Sequence, residues 1–171
     1  MGRSAITGTG CDTVSGRSVV PAPVARIVLL CILTVAWTMP APAALYYIKP
    51  DGTGTYPTIQ AAIDAATAGD VIALADGTFT GSGNRDLTFL GKAITVRSYT
   101  GDAKACIIDC EYASCGLNFY MGEGPSSRLE GITITHGSNT GGGAINASSS
   151  PTIVRVIFRE NGATDGGAIY T

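Results

Sequence analysis

Hydrophobic and polar residues alternate along much of the second half of the chain. The alternation is clearest at Ile94/Val96, at Ile132/Ile134 and at Val154/Val156/Phe158. Because side chains of a β-strand point to opposite faces in turn, these apolar residues are predicted to face a core. The intervening polar residues are then predicted to face outward, namely Thr95, Arg97, Thr133, Thr135, Arg155 and Arg159.

One segment follows a helical period instead. Ile59, Ala62, Ile63 and Ala66 form a single apolar stripe at positions i, i+3, i+4 and i+7. The pattern predicts a helix over Thr58–Thr67, which begins after Pro57 and ends before Gly69. Its stripe must be buried, and the open end of a solenoid is the surface we expect it to cover.

Short strands separated by turns are predicted for the rest. Strands are expected at Tyr46–Ile48, Val71–Leu74, Thr78–Thr80, Leu87–Phe89, Ala93–Ser98, Cys106–Asp109, Leu117–Tyr120, Leu129–Thr135, Ala144–Asn146, Thr152–Phe158 and Ala168–Tyr170. The connections are rich in Gly, Ser, Asn and Asp, which tolerate tight backbone conformations.

An internal repeat decides how these strands are arranged. The four residues Gly142, Gly143, Ala144 and Ile145 recur 24 positions later as Gly166, Gly167, Ala168 and Ile169. Ile132–Ile134 aligns with Val156–Phe158 at the same spacing. A period of this length is typical of a solenoid, in which equivalent residues stack one strand spacing apart, about 4.8 Å. We therefore predict an all-β protein, a parallel β-helix of about five coils, and we expect it to continue beyond residue 171.

The spacing is not uniform along the chain. Leu74 to Val96 is 22 residues, Ile132 to Val156 is 24, and Val96 to Ile132 is 36. The middle interval therefore predicts an enlarged turn, either around Cys110–Cys115 or around Gly122–Ser127.

The first 43 residues have the organisation of a secretory signal peptide. Arg17 and Arg26 precede the apolar run Ile27–Trp37, and small residues stand at Ala41 and Ala43. This order predicts cleavage between Ala43 and Ala44. The domains expected are thus a signal peptide over 1–43, with an extended n-region, and a β-helix over 44–171. The apolar run is too short to span a bilayer, which needs about 20 residues.

The charge of residues 44–171 argues against one class of partner, and their cysteines raise the question of a disulfide. Residues 44–171 contain 8 Lys and Arg against 12 Asp and Glu, so this part is acidic and nucleic acid is not an expected partner. Three cysteines follow the predicted cleavage site, and secretion would place them in an oxidising compartment. Cys106 and Cys110 are too far apart in an extended strand to bond. Cys110 and Cys115 flank a short turn and can form a disulfide, and three reduced thiols are the alternative.

These residues resemble the right-handed parallel β-helix proteins of bacterial cell surfaces, which have a pectin-lyase-like fold. Segments 58–66, 69–74 and 76–79 resemble that family's capping helix, first strand and following turn, and 129–134 resembles a later strand. The paired Gly-Gly-Ala-Ile sequences, with Phe158 and Asn161 in an F-x-x-N pattern, are similar to repeats of the polymorphic outer-membrane proteins. The first repeat has neither this Phe nor this Asn. The resemblance implies a fold and a surface location rather than an activity.

Residues that could support catalysis are few. A polysaccharide lyase needs a calcium site of several carboxylates and a nearby Arg or Lys as base. Asp109, Glu111 and Glu130 with Arg97 or Lys92 are the nearest candidates. His136 has no acidic residue or cysteine within three positions, which favours a role as a turn residue. We expect Asn161 to hydrogen-bond to the backbone of a neighbouring coil.

The sequence therefore predicts a secreted or cell-surface β-helix segment without catalysis of its own. It would act as a scaffold, as an adhesin-like module or by contacting carbohydrate, with no cofactor and no metal. The alternative is the N-terminal part of a polysaccharide lyase or hydrolase whose active site lies in coils beyond residue 171. The expected partners are carbohydrate or another cell-surface component, and no membrane span is expected after cleavage.

Overall fold

The structure is a computed structural model that describes residues 42–171. The predicted signal peptide therefore lies outside the described residues, except for Pro42 and Ala43. The described chain runs in the order β1 (Leu45–Ile48), α1 (Ile59–Ala65), β2 (Val71–Leu74), β3 (Gly77–Phe79), β4 (Leu87–Thr88), β5 (Thr95–Ser98), β6 (Cys106–Asp109), β7 (Leu117–Phe119), β8 (Arg128–Glu130), β9 (Thr133–Thr135), β10 (Ser138–Asn139), β11 (Ile145–Ala147), β12 (Thr152–Val154), β13 (Ile157–Arg159), β14 (Gly162–Ala163) and β15 (Ile169–Tyr170).

The strands stack into three parallel sheets. The first sheet has the order β1-β2-β5-β8-β12, the second β13-β9-β6-β3, and the third β15-β11-β7-β4. The short strands β10 and β14 pair with each other. Successive strands of the chain thus visit the sheets in turn and return one layer further along. This confirms the predicted β-solenoid of about five turns with one short helix.

The register shows where the repeat is regular. Thr152 lies opposite Arg128, Ile157 opposite Thr133, and Ile169 opposite Ile145, each 24 positions apart. Arg128 lies opposite Thr95, which is 33 positions earlier. The extra residues are in segments 99–105 and 120–127, whose counterparts in the next coil are only 131–132 and 148–151.

This register corrects three predictions about spacing. The partner of Val96 in the preceding coil is Ile72 rather than Leu74, and its partner in the next coil is Leu129 rather than Ile132. The enlarged turn is not at Cys110–Cys115. The alternative at Gly122–Ser127 lies within the enlarged connection 120–127 and is correct, whereas the other enlarged connection, 99–105, was not predicted.

Two predicted strands are each divided by a corner. Gly131 separates β8 from β9 with a φ of +63°, and Arg155 separates β12 from β13 with a φ of +53°. The left-handed corner reverses the alternation, so Ile153 packs against the core and Val154 does not, contrary to the prediction. The two corners are 24 residues apart, which means that the bend is part of the repeat.

The core is built from stacked rows of large apolar side chains. Phe79, Ile108 and Ile134 succeed one another along the second sheet, and all three are fully buried. The first and third sheets each contribute a similar row to the same core. The row of the first sheet is Ile72, Val96 and Leu129. The row of the third sheet is Leu87, Leu117 and Ile145. Each such residue contributes about 1.5–3 kcal/mol by leaving water.

The helix covers one end of this core, as predicted. The Thr58 hydroxyl accepts a hydrogen bond from the Ala61 N–H at 3.2 Å and so caps its first turn. Ile59, Ala62 and Ile63 are fully buried in the same cluster as the strand residues. Within residues 42–171, no helix is long and apolar enough to cross a membrane.

Candidate functional site

The repeated Gly-Gly-Ala-Ile sequences lie directly on one another in successive coils. Ile145 pairs with Ile169 in the third sheet. Just before these strands, the Gly143 N–H donates to the Gly167 carbonyl and the Ala144 N–H to the Ala168 carbonyl, both at 2.9 Å. The repeat thus forms the corner that leads into the third sheet.

Most of the repeat glycines are required because there is no room for a Cβ atom, rather than because of a left-handed backbone conformation. A Cβ at Gly142 would collide with the Ile145 carbonyl oxygen, and one at Gly143 would lie 2.6 Å from the Gly167 oxygen. Of the four repeat glycines, only Gly167 has a left-handed φ, of +47°. The corner is therefore too tight for a side chain, because two layers of backbone approach each other there.

Phe158 and Asn161 occupy structural positions in the last coil. Phe158 lies opposite Ile134 and packs against the core. The Asn161 amide nitrogen donates to the Ile134 carbonyl at 2.9 Å, and its oxygen accepts from the Gly137 N–H at 2.7 Å. Gly137 stands 24 residues before Asn161, so the asparagine side chain tethers its own equivalent turn in the preceding coil.

The outer face of the second sheet carries the most promising group of side chains. Ile107, Thr133 and Ile157 lie side by side in one row of this face, and Asp109, Thr135 and Arg159 in the next. Thr133 and Thr135 were predicted to be exposed, but both are buried. For Thr133 the reason is the enlarged connection 99–105, because the Thr133 hydroxyl donates to the Ala103 carbonyl at 2.6 Å.

A cavity opens on this face. Its volume is about 220 Å³, and it is lined by Lys104, Ile107, Thr133, Ile157 and Arg159. We call it the Lys104–Arg159 groove. Its lining has two cations, two isoleucines and a hydroxyl, and no acidic side chain. Such a surface can hold a partly apolar ligand that carries negative charge.

A buried hydroxyl beside the groove is without a partner. Among the described residues, Thr135 Oγ1 is buried and makes no hydrogen bond. Thr135 stands next to Arg159 in the sheet and two residues after Thr133. Since buried polar groups are nearly always hydrogen-bonded, this hydroxyl is an exception among the described residues.

His136 lies at the end of this face between two carboxylates from neighbouring coils. Its Nδ1 is 2.9 Å from Asp109 Oδ1, and its Nε2 is 3.0 Å from Glu160 Oε2. These hydrogen bonds raise the pKa of the imidazole above its usual value. Tyr112 packs on the ring at a centroid distance of 4.7 Å. Sequence neighbours did not reveal this cluster, although Glu160 stands one 24-residue repeat after His136.

The residues weighed for a lyase site do not converge. Asp109 and Glu111 lie at the end of the second sheet, whereas Glu130 and Arg97 pair in the first sheet. Glu130 also forms an ion pair with Arg155 at 2.5 Å. Lys92 donates to the carbonyls of Ile63 and Asp64 at the end of the helix. Within residues 42–171 no three His, Cys, Asp or Glu side chains are placed to hold a metal ion.

The three described cysteines are buried free thiols. Burial raises the pKa of the Cys106 and Cys110 thiols to about 12, so neither is a reactive thiolate at neutral pH. The Cys115 sulfur lies 3.4 Å from the Asn118 side-chain oxygen and 3.6 Å from Asp86. The disulfide considered for Cys110 and Cys115 is not formed in this structure.

Comparison with known protein families gives a match over the end of the chain. The repeat of the Chlamydia polymorphic membrane proteins (Chlamydia_PMP) matches residues 155–171, the part that contains Phe158, Asn161 and the second Gly-Gly-Ala-Ile sequence. No curated protein and no solved structure matches the chain. Together with the stacked parallel strands, the match supports a β-helix repeat protein, and it points to the outer membrane or the cell surface.

Proposed function

We propose that this chain is part of a cell-surface β-helix protein in which the solenoid is a scaffold and the Lys104–Arg159 groove binds acidic carbohydrate. The groove is the observation on which the proposal depends. Ile107 and Ile157 offer apolar surface to the face of a sugar ring, and the cations of Lys104 and Arg159 suit a uronate carboxylate.

The lining of the groove is positively charged although the chain as a whole is acidic. The whole chain has a formal net charge of −2 at pH 7, yet the side chains that line this cavity include two cations and no acid. Two acids of the same face contact His136: Asp109 Oδ1 lies 2.9 Å from its Nδ1 and Glu160 Oε2 3.0 Å from its Nε2, and Glu160 also lies 3.7 Å from Arg159 Nε.

Binding of a short oligogalacturonate to the exported chain would test this proposal. We expect saturable binding that weakens with added salt, since exposed charges are screened. Arg159→Gln and Lys104→Gln should each weaken it about two- to five-fold, the value of one exposed ion pair. Arg155→Gln is the matched control, because Arg155 is exposed in the same coil but does not line the groove.

A neutral sugar and a polymeric substrate distinguish binding of acidic carbohydrate from other functions. A neutral maltooligosaccharide should bind more weakly than oligogalacturonate. Equal binding of the two sugars, or equal loss in Arg155→Gln and Arg159→Gln, would contradict the proposal. Eliminative cleavage of polygalacturonate would instead favour the N-terminal part of a polysaccharide lyase.

A further inference from the structure

The first hydrogen bonds of the solenoid involve the residue that follows the predicted cleavage site. The Ala44 N–H donates to Asp70 Oδ1 at 2.7 Å, and the Ala44 carbonyl accepts from the Val71 N–H at 2.9 Å. Pro42 and Ala43 are exposed, whereas Ala44 is half-buried. Among the described residues, the hydrogen bonds of the solenoid therefore begin at Ala44, and the two residues before it are exposed.

Asp70 is a buried carboxylate surrounded by neutral donors. It is 4% exposed, and it accepts from the Thr67 N–H at 2.7 Å, from the Thr67 hydroxyl at 3.0 Å and from the Tyr46 hydroxyl at 3.5 Å. Within residues 42–171 no Lys, Arg or His forms an ion pair with it. The hydrogen bonds from Thr67 and Ala44 hold the pKa of Asp70 below its usual value, so this carboxylate is charged and a cation beside it would be favoured.

Hydrolysis of the Ala43–Ala44 bond would supply that cation. Water adds across the peptide bond, Ala43 leaves with the new carboxylate, and the Ala44 nitrogen takes up a proton to become an ammonium group. We propose that a signal peptidase cleaves here and that the ammonium of Ala44 then binds the Asp70 carboxylate as its built-in counter-ion. This proposal does not depend on the carbohydrate function.

Cleavage would strengthen a contact between Ala44 and Asp70 that is already present in the uncleaved chain. Before cleavage, Ala44 offers Asp70 a single N–H from a neutral amide. After cleavage, the same nitrogen has three N–H donors and a positive charge, so a hydrogen bond from a neutral amide to a carboxylate becomes an ion pair between two charged groups. The bond ties β1 to the turn before β2, so export and completion of the first coil would be coupled.

The first experiment asks where the exported protein begins. The chain Met1–Thr171 is expressed in a bacterium with a general secretory pathway, and the exported chain is analysed by intact mass and N-terminal sequencing. We expect Ala44 as the first residue. Any other start would overturn the proposal, whatever the result with oligogalacturonate.

The second experiment asks whether the new ammonium is held by Asp70. An ordinary α-amino group has a pKa of about 8, and a carboxylate partner should raise it. The α-amine is therefore expected to be acylated at neutral pH several-fold more slowly in the wild type than in Asp70→Asn. Asp165→Asn removes an exposed carboxylate elsewhere and should acylate at the wild-type rate. Equal rates in all three would overturn the ion pair and leave the cleavage site intact.

A titration of the wild type avoids dependence on the folding of Asp70→Asn. The α-amine is labelled by ¹³C reductive methylation under denaturing conditions, the protein is refolded, and the pKa is measured by NMR. The Tyr46 phenol, with the Tyr56 ring against it at 5.5 Å, is the other titratable group facing Asp70, and its pKa is raised, so it stays neutral over the range measured. A folded-state pKa above the value in urea supports the proposal, and an unchanged value contradicts it.

Discussion

At the scale of single residues, one carboxylate fastens three successive coils. Glu123 is 1% exposed, and its two oxygens accept from the Gly91 N–H at 3.0 Å, the Met121 N–H at 2.9 Å and the Ser149 hydroxyl at 3.0 Å. These hydrogen bonds hold its pKa below the usual range despite its burial. Glu123 lies in the enlarged connection 120–127, so a polar residue rather than the apolar core fixes that longer turn.

His136 predicts how stability depends on pH. Its pKa is raised in the folded chain by Asp109 and Glu160, so the protonated ring is the form that stabilises the fold. This contribution is complete below the unfolded value of about 6.5, and it is lost as the pH rises through the higher folded value. The urea midpoint of the wild type should therefore fall more steeply over this range than that of His136→Gln.

Removing one of the two carboxylates beside the His136 imidazole provides a control variant. Besides Asp109 and Glu160, the Tyr112 ring packs on it, and Arg159 lies 3.7 Å from Glu160. In Glu160→Gln the dependence on pH should be smaller than in the wild type but not absent, because Asp109 still faces the ring. Parallel curves for wild type and His136→Gln would contradict the role of the histidine.

At the scale of elements, the corner before the third sheet is the tightest part of the repeat. Gly142, Gly143 and Gly166 all approach backbone atoms of their own or the next layer too closely for a Cβ. Each strand of this solenoid is only two to four residues long. With so few ladder hydrogen bonds per strand, the corners must stack closely for the layers to pair.

A glycine-to-alanine pair tests this requirement. Gly142→Ala places a methyl group against the Ile145 carbonyl, and overpacking of this kind costs about 1–3 kcal/mol. Gly162→Ala is the matched control, since a Cβ there meets nothing within 4 Å and its φ is not left-handed. It should be neutral or stabilise by about 0.4–1 kcal/mol, because alanine restricts the unfolded chain. Equal free energies of unfolding in urea for the two variants would contradict the steric explanation.

At the scale of the whole molecule, burial declines along the solenoid. Phe79, Ile108 and Ile134 are fully buried, whereas Phe158, the next residue in that row, is only partly buried. Within the described residues, the coil of β12–β15 has a neighbouring coil on one side only. In such a quasi-one-dimensional structure each layer is stabilised chiefly by its neighbours.

Amide hydrogen exchange should follow this gradient in the 171-residue chain. Amides of β2 and β5, which have strands on both sides, should be the most protected, and those of β12, β13 and β15 should exchange faster. Exchange followed by NMR or mass spectrometry would measure the difference. Uniform protection across the coils would show that the solenoid unfolds as one cooperative unit and would contradict the expectation.

The sequence by itself determined the architecture. The 24-residue repeat and the alternation of apolar residues can both be read from the sequence. Each core side chain packs chiefly against its equivalent one coil away, so the repeat predicts its contacts. For the same reason the helix over Ile59–Ala65 and the stacking of Ile145 on Ile169 were predicted correctly.

Only the tertiary structure decided where coils deviate from the repeat and which side chains meet. The left-handed corners at Gly131 and Arg155 reverse the alternation, and the connection 99–105 covers Thr133. His136 gains Asp109 and Glu160, and Ala44 gains Asp70, across separations of 24–27 residues. Stacking of the layers creates these contacts, so no run of neighbouring residues contains them.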